Sequence, residues 1–137
     1  MAAAPIAVSH LDHFVITASD IDATIAFYAS ALGMRVVSFA NGERRALHFG
    51  SQKINLHQQG KEFEPKARVA TPGSQDLCFI TTTPISGVLS HLASLDIPVV
   101  EGPVKRTGAQ GPMLSVYVRD PDGNLVEIAN YEEGAEA

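Results

Sequence analysis

Twice along the chain, a short apolar run gives way to a polar break and then to apolar positions spaced three and four apart. In the first half, VSHLDHFVIT (8–17) reads as a buried strand. Ile21, Ile25, Tyr28 and Leu32 then fall on one helical face. Ser19 or Asp20 can cap that helix, and Gly33 supplies a left-handed stop. Strands at about 35–40 and 44–49 flank an Asn41-Gly42 hairpin turn, and a third covers roughly 52–57.

The second half repeats the order. A strand over 76–81 leads to Thr83 as cap and Pro84 at the first helical position. Ile85, Val88, Leu89, Leu92 and Leu95 form the apolar stripe. Strands follow at about 97–101, 113–119 and 124–129. The segment 102–112 is read as a Gly/Pro-rich loop, and Asp120-Pro121-Asp122-Gly123 as a turn. Between the halves, QQGKEFEPKARVATPGSQ (58–75) is polar, with two Pro and two Gly, and reads as a linker.

One helix can cover one face of a four-stranded sheet, so each half leaves a face to be buried elsewhere. The expected fold is therefore α+β: paired βαβββ modules forming an open half-barrel. A single domain spans 1–137, with module one over 8–57, the linker over 58–75 and module two over 76–131.

The repeat places candidate chemistry at equivalent points. Superposing the helix caps, Asp20 on Thr83, puts His13 on Asp76, 63 residues on. Superposing the last strands, INLH on NLVE, puts His57 on Glu127, 70 residues on. Side chains alternate across a strand, so all four face one cleft if the helices cover the Phe14 and Leu77/Phe79 faces. A lone strand histidine is ordinarily a hydrogen-bonded structural residue, and Asp76 could simply cap a strand. Glu127, inside the apolar run LVEIA, needs a partner or a cation. Two imidazoles and two carboxylates suit one divalent metal ion per site, Zn, Ni, Co, Mn or Fe, with open positions for water or a chelating substrate.

Composition narrows the partners. A formal charge of −5 gives no support for nucleic acid or an anionic membrane surface as a partner. One cysteine excludes an intrachain disulfide. The opening MAAAPIAVSH lacks the charged and apolar regions of a signal peptide, and no stretch approaches a membrane span, so a cytoplasmic protein is expected.

The double β-α-β-β-β plan, His13 in LDHFVI, the helix DIDATIAFYASALGM and the ending DPDGNLVEI together resemble the vicinal oxygen chelate superfamily over roughly residues 8–131. That superfamily holds glyoxalases, bleomycin-resistance proteins and extradiol dioxygenases. More narrowly, KINLHQQGKEFEPKA, PGSQDLCFIT and EGPVKRTGAQGP are similar to the glyoxalase-domain-containing protein 5 group. The resemblance implies a fold of the glyoxalase/bleomycin-resistance type and metal positions at His13, His57, Asp76 and Glu127. It implies a metal-dependent lyase or isomerase like lactoylglutathione lyase, chelating vicinal oxygens of a small-molecule substrate and stabilising an enediolate, with Glu127 as ligand and base. Lactoylglutathione lyases typically read His, Glu, His, Glu at these places, where this chain reads His, His, Asp, Glu. An extradiol-type dioxygenase would want His at the third place, held here by Asp76. A non-catalytic drug-binding protein of the bleomycin-resistance type would lack the ligands. A homodimer is implied, with the metal site inside one chain or built from module one of one chain and module two of the other.

Lesser candidates complete the reading. Tyr117 is a candidate to hydrogen-bond a substrate oxygen, and His48 to support the site from behind. Cys78 reads as a small buried hydrophobe, and Arg44, Arg45, Lys105 and Arg106 as solvated charges near turns.

Overall fold

The computed structural model describes residues 4–132. Strand β1 (His13–Ala18) leads into helix α1 (Ile21–Leu32) and the strands β2 (Arg35–Phe39), β3 (Arg44–Phe49) and β4 (Gln52–Gln58). After the linker come β5 (Asp76–Ile80), α2 (Ile85–Ser94), β6 (Glu101–Gly108), β7 (Gly111–Arg119) and β8 (Leu125–Tyr131). The strands form two four-stranded sheets, ordered β1-β4-β3-β2 and β5-β8-β7-β6. In each, the first strand runs parallel to the last and the other pairs are antiparallel. This is the paired βαβββ plan; residues 133–137 lie outside the described residues.

Local chemistry explains most of the boundaries. Asp20 Oδ1 accepts from the Asp22 and Ala23 amides at 3.0 and 3.3 Å, and Gly33 closes α1 at φ 66°. The start of α2 differs from expectation. Pro84 takes the cap position, and Thr83 makes no capping bond there. The Ile85 amide instead donates to Asn130 Oδ1 at 3.0 Å, while Asn130 Nδ2 donates to the Thr81 and Thr83 carbonyls. A side chain from the end of β8 thus caps the helix, which sequence spacing cannot reveal.

Three other expectations fail. Residues 97–100 are not a strand, and Leu95, just past α2, is exposed rather than part of the stripe. The expected loop 102–112 is mostly strand. Glu101 pairs with Tyr117 and Val104 with Ser115, so one extra residue bulges at Gly102-Pro103. Gly102 sits at φ 115°, and a Cβ there would meet the Ser115 carbonyl oxygen at 2.5 Å. Gly and Pro here shape a bulge within a ladder instead of ending it.

The helix-covered faces of both sheets share one core. Ile16, Leu47, Ile54 and Leu56 from the first sheet join Val116, Val118, Val126 and Ile128 from the second. Tyr28 of α1 lies between them, fully buried, with its ring 6.5 Å from Phe79. Its hydroxyl donates to Asp120 Oδ2 at 2.9 Å in the DPDG turn, and Ser19 is bonded to Asp122 in the same turn. The modules therefore meet through their helices within one chain, and each sheet keeps its other face uncovered by any helix.

Candidate functional site

Strand alternation assigns the side chains of the first uncovered face. His13, Val15 and Thr17 of β1 stand beside Asn55 and His57 of β4 and Arg44 of β3. These residues form one wall of a cleft of about 530 Å³. Its other wall is the linker, with Phe63 to Ala67 at one end and Ser74 and Gln75 at the other. The linker is thus part of a site as well as a connection.

The second uncovered face carries Asp76, Cys78 and Glu127, with Tyr117 directly opposite Glu127. Arg106 Nε donates to the Tyr117 hydroxyl at 2.9 Å, and Arg106 also pairs with Glu101 at 2.6 Å. A polar chain therefore runs Glu101–Arg106–Tyr117 toward Glu127. The Cys78 thiol, expected to be buried, is exposed on this face, because β5 is an edge strand bonded only to β8. Partial burial, then the Glu127 carboxylate alongside, pushes that thiol up to about 11.

Strand register changes the internal equivalence. His13 lies alongside Lys53, and Asp76 alongside Leu125. Glu127, two residues beyond Leu125, therefore corresponds to Asn55, two residues beyond Lys53. The superposition that put His57 on Glu127 is two residues out of register. His57 lies opposite Thr17, four residues along β1 from His13, or about 13 Å at strand rise. Asn55 keeps the same face, but an amide in an apolar strand gives little sequence signal for a site.

The individual groups have the state that a binding role needs. His13 Nδ1 sits 2.7 Å from Asp12 Oδ2, which fixes the ring and leaves Nε2 free. That hydrogen bond holds the Asp12 carboxyl below the usual carboxylate range. Burial, then the Arg44 cation, lowers the His57 pKa and keeps its imidazole neutral. Asn55 Oδ1, His57 Nδ1, Arg44 Nε, Ser115 Oγ and Glu127 Oε2 are buried atoms without hydrogen-bond partners. All five belong to the two uncovered faces. Such orphaned groups ordinarily mark a site that another molecule satisfies. The donor set of imidazole, amide and carboxylate fits a divalent cation.

Among the described residues of one chain, however, no three His, Cys, Asp or Glu side chains converge on a common point. His13 and His57 share one cleft, and Asp76 and Glu127 lie on the other sheet. Arg44 was expected as a solvated charge near a turn, and Phe63 belongs to the expected linker. Both line the cleft.

The family described as the glyoxalase/bleomycin resistance protein/dioxygenase superfamily matches residues 10–128. The chain belongs to this superfamily. Its members commonly use a divalent metal, bind small molecules and often form dimers. The chain is 62% identical over 128 residues to glyoxalase domain-containing protein RDO1 of Mycosarcoma maydis, covering 93% of this chain and 72% of that one. The crystal structure of virulence protein STM3117 from Salmonella typhimurium superposes with a TM-score of 0.91 at 57% identity, covering 93% of this chain and all of that one. Lactoylglutathione lyase from Agrobacterium tumefaciens superposes with a TM-score of 0.69 at 26% identity, covering 90% and 95%. No helix among the described residues is long and apolar enough to cross a membrane.

Proposed function

We propose that the protein is a divalent-metal-dependent lyase or isomerase of the lactoylglutathione lyase type, acting on a small oxygenated substrate at a site completed by two copies of the chain. The observation that carries this reading is the division of the site. Equivalent registers supply His13 and Asn55 on one sheet and Asp76 and Glu127 on the other, and within one chain the two sets do not meet. In a homodimer, module one of one copy would face module two of the other. His57 then lies one pleat repeat beyond Asn55, near the substrate end of the cleft.

Surface character supports the pairing. The first uncovered face carries Arg35, Arg44, Lys53 and three histidines, while the second carries Asp76, Glu101 and Glu127 against Arg106 and Arg119. Strands β1 and β5 each have one unpaired edge, and Leu11 and Ile80 beside them are about half exposed. Such edges and apolar residues favour burial against a second copy.

A bound cation would polarise two neighbouring substrate oxygens as a Lewis acid. Of the residues present, His13, Asp76 and Glu127, with Asn55 at the fourth place, would hold it. Glu127 acts as the base that removes a proton next to a substrate carbonyl and returns it to the neighbouring carbon. Tyr117, oriented by Arg106, donates to a substrate oxygen from beside Glu127.

The test is anaerobic metal analysis of purified protein, followed by an assay of metal-reconstituted protein with methylglyoxal and glutathione. The expected result is one divalent ion per site. Turnover per bound ion should fall about 10²–10⁴-fold in Glu127→Gln, the usual contribution of a positioned acid–base group. Protein that takes up no metal under any loading, or a Glu127→Gln variant with full turnover per ion, would overturn the reading.

A further inference from the structure

We propose that the cleft over the first sheet is a carboxylate-binding site built on Arg44, so that the substrate class is a small carboxylic acid anion. The Arg44 guanidinium lies 5.1 Å from the Phe39 ring and 4.6 Å from the Phe63 ring. Two aromatic faces fix its plane, one from the hairpin and one from the linker. One amino group lies 3.2 Å from His57 Nε2, and Nε is buried with no acceptor at all. Arg45, Lys66 and Arg106 each have a carboxylate within 4 Å, and among the described residues Arg44 has none.

A partly buried cation without a counter-charge is costly unless something supplies one. Cations that merely serve solubility are placed in water. This one is held in the wall of a 530 Å³ cleft. A guanidinium with a fixed plane presents parallel N–H donors that match the two oxygens of a carboxylate. Lys66 adds a second positive charge to the lining, offset by Glu64, which pairs with it at 3.8 Å. In the metal-free protein Asn55 Oδ1 is a buried acceptor without a donor, suited to a hydroxyl on the same ligand. The donors and acceptor together favour a small acid carrying an additional oxygen over a neutral aldehyde.

Reading this anion as the substrate rests on the function proposed above; its binding does not. Full-length protein stripped of metal with EDTA is titrated by calorimetry with malonate, succinate, neutral malonamide and inorganic phosphate. A dicarboxylate should bind saturably and malonamide should not. Affinity should fall at least about tenfold in Arg44→Gln, the loss of a charge-assisted hydrogen bond of about 1.4 kcal/mol or more. Arg44→Lys, which keeps the charge but not the fork, should fall between them. Arg45→Gln, remote from the cleft lining, should match the parent, and circular dichroism should confirm the fold of each variant. No saturable dicarboxylate binding by the parent, unchanged affinity in a folded Arg44→Gln, or tighter binding of phosphate than of either dicarboxylate would overturn the proposal. Metal analysis separates the two readings, since a protein that binds carboxylates through Arg44 and takes up no metal loses the lyase reading alone.

Discussion

If each cation site takes His13 from one chain and Glu127 from its partner, two individually defective chains can restore a site between them. Consider His13→Ala and Glu127→Ala chains co-expressed with different tags. Random pairing makes about half of the dimers mixed. Each mixed dimer holds one doubly damaged site and one intact site, the latter joining module one of the Glu127→Ala chain to module two of the His13→Ala chain. Since half of the dimers hold one intact site in two, the mixture should bind about one quarter of the parental metal, rising to about one half in mixed dimers purified through both tags. The corresponding turnover should follow the same fractions, because an intact site uses only parental side chains. Each variant alone should bind little metal, since losing one of a few ligands leaves an ion poorly held. A site inside one chain predicts no recovery at all. The double-tag preparation is therefore decisive: metal content no higher than in the single variants would refute the divided site, and with it the reason for placing His13 and Glu127 on one ion.

Other consequences follow from the same contacts. Asp120, buried in the DPDG turn, accepts from the Tyr28 hydroxyl, the Asn124 side chain and the Asp122 and Asn124 amides. Tyr28→Phe removes one of the hydrogen bonds that join the modules and should lower stability by about 1–3 kcal/mol in urea unfolding; an unchanged midpoint would show that the bond contributes nothing. Leu92→Ala empties a fully buried position of α2 and should cost about 2–5 kcal/mol by the same assay. Cys78 has its thiol pushed up to about 11, so only about one in a thousand is thiolate at pH 8. Alkylation should therefore be slow at pH 8 and rise through pH 10, because a raised thiol pKa moves thiolate formation to higher pH. Glu127→Gln should speed it by removing the neighbouring charge, and equal rates in both proteins would contradict that coupling.

The modules were legible because their signals are local. Asp20, Gly33 and the spacing of Ile21, Ile25 and Tyr28 fix α1 with no reference to the rest of the chain. What escaped the sequence depends on contacts made across the fold. Asn130 caps α2 from the last strand, and Gly102-Pro103 forms a bulge only because β7 lies beside it. The site shows the same division more sharply. His13 and Asp76 align through the nearby helix starts, and they stand at the first positions of β1 and β5.

His57 was aligned through the end of its strand, where nothing local fixes register. An alternating strand looks the same after a shift of two residues, since every side chain returns to its original face. An imidazole also suggests a ligand more strongly than an amide does, which hides Asn55 in the sequence. Face can thus be read from alternation, whereas the level along a strand needs its neighbour. The same logic applies to Arg44. Its position beside a turn suggested a solvated charge, and only the linker folding back to bring Phe63 against it makes it part of a cleft. Arg44 and Phe63 thus owe their place in the cleft wall to the segment between the modules, the part of the chain with the least periodic signal.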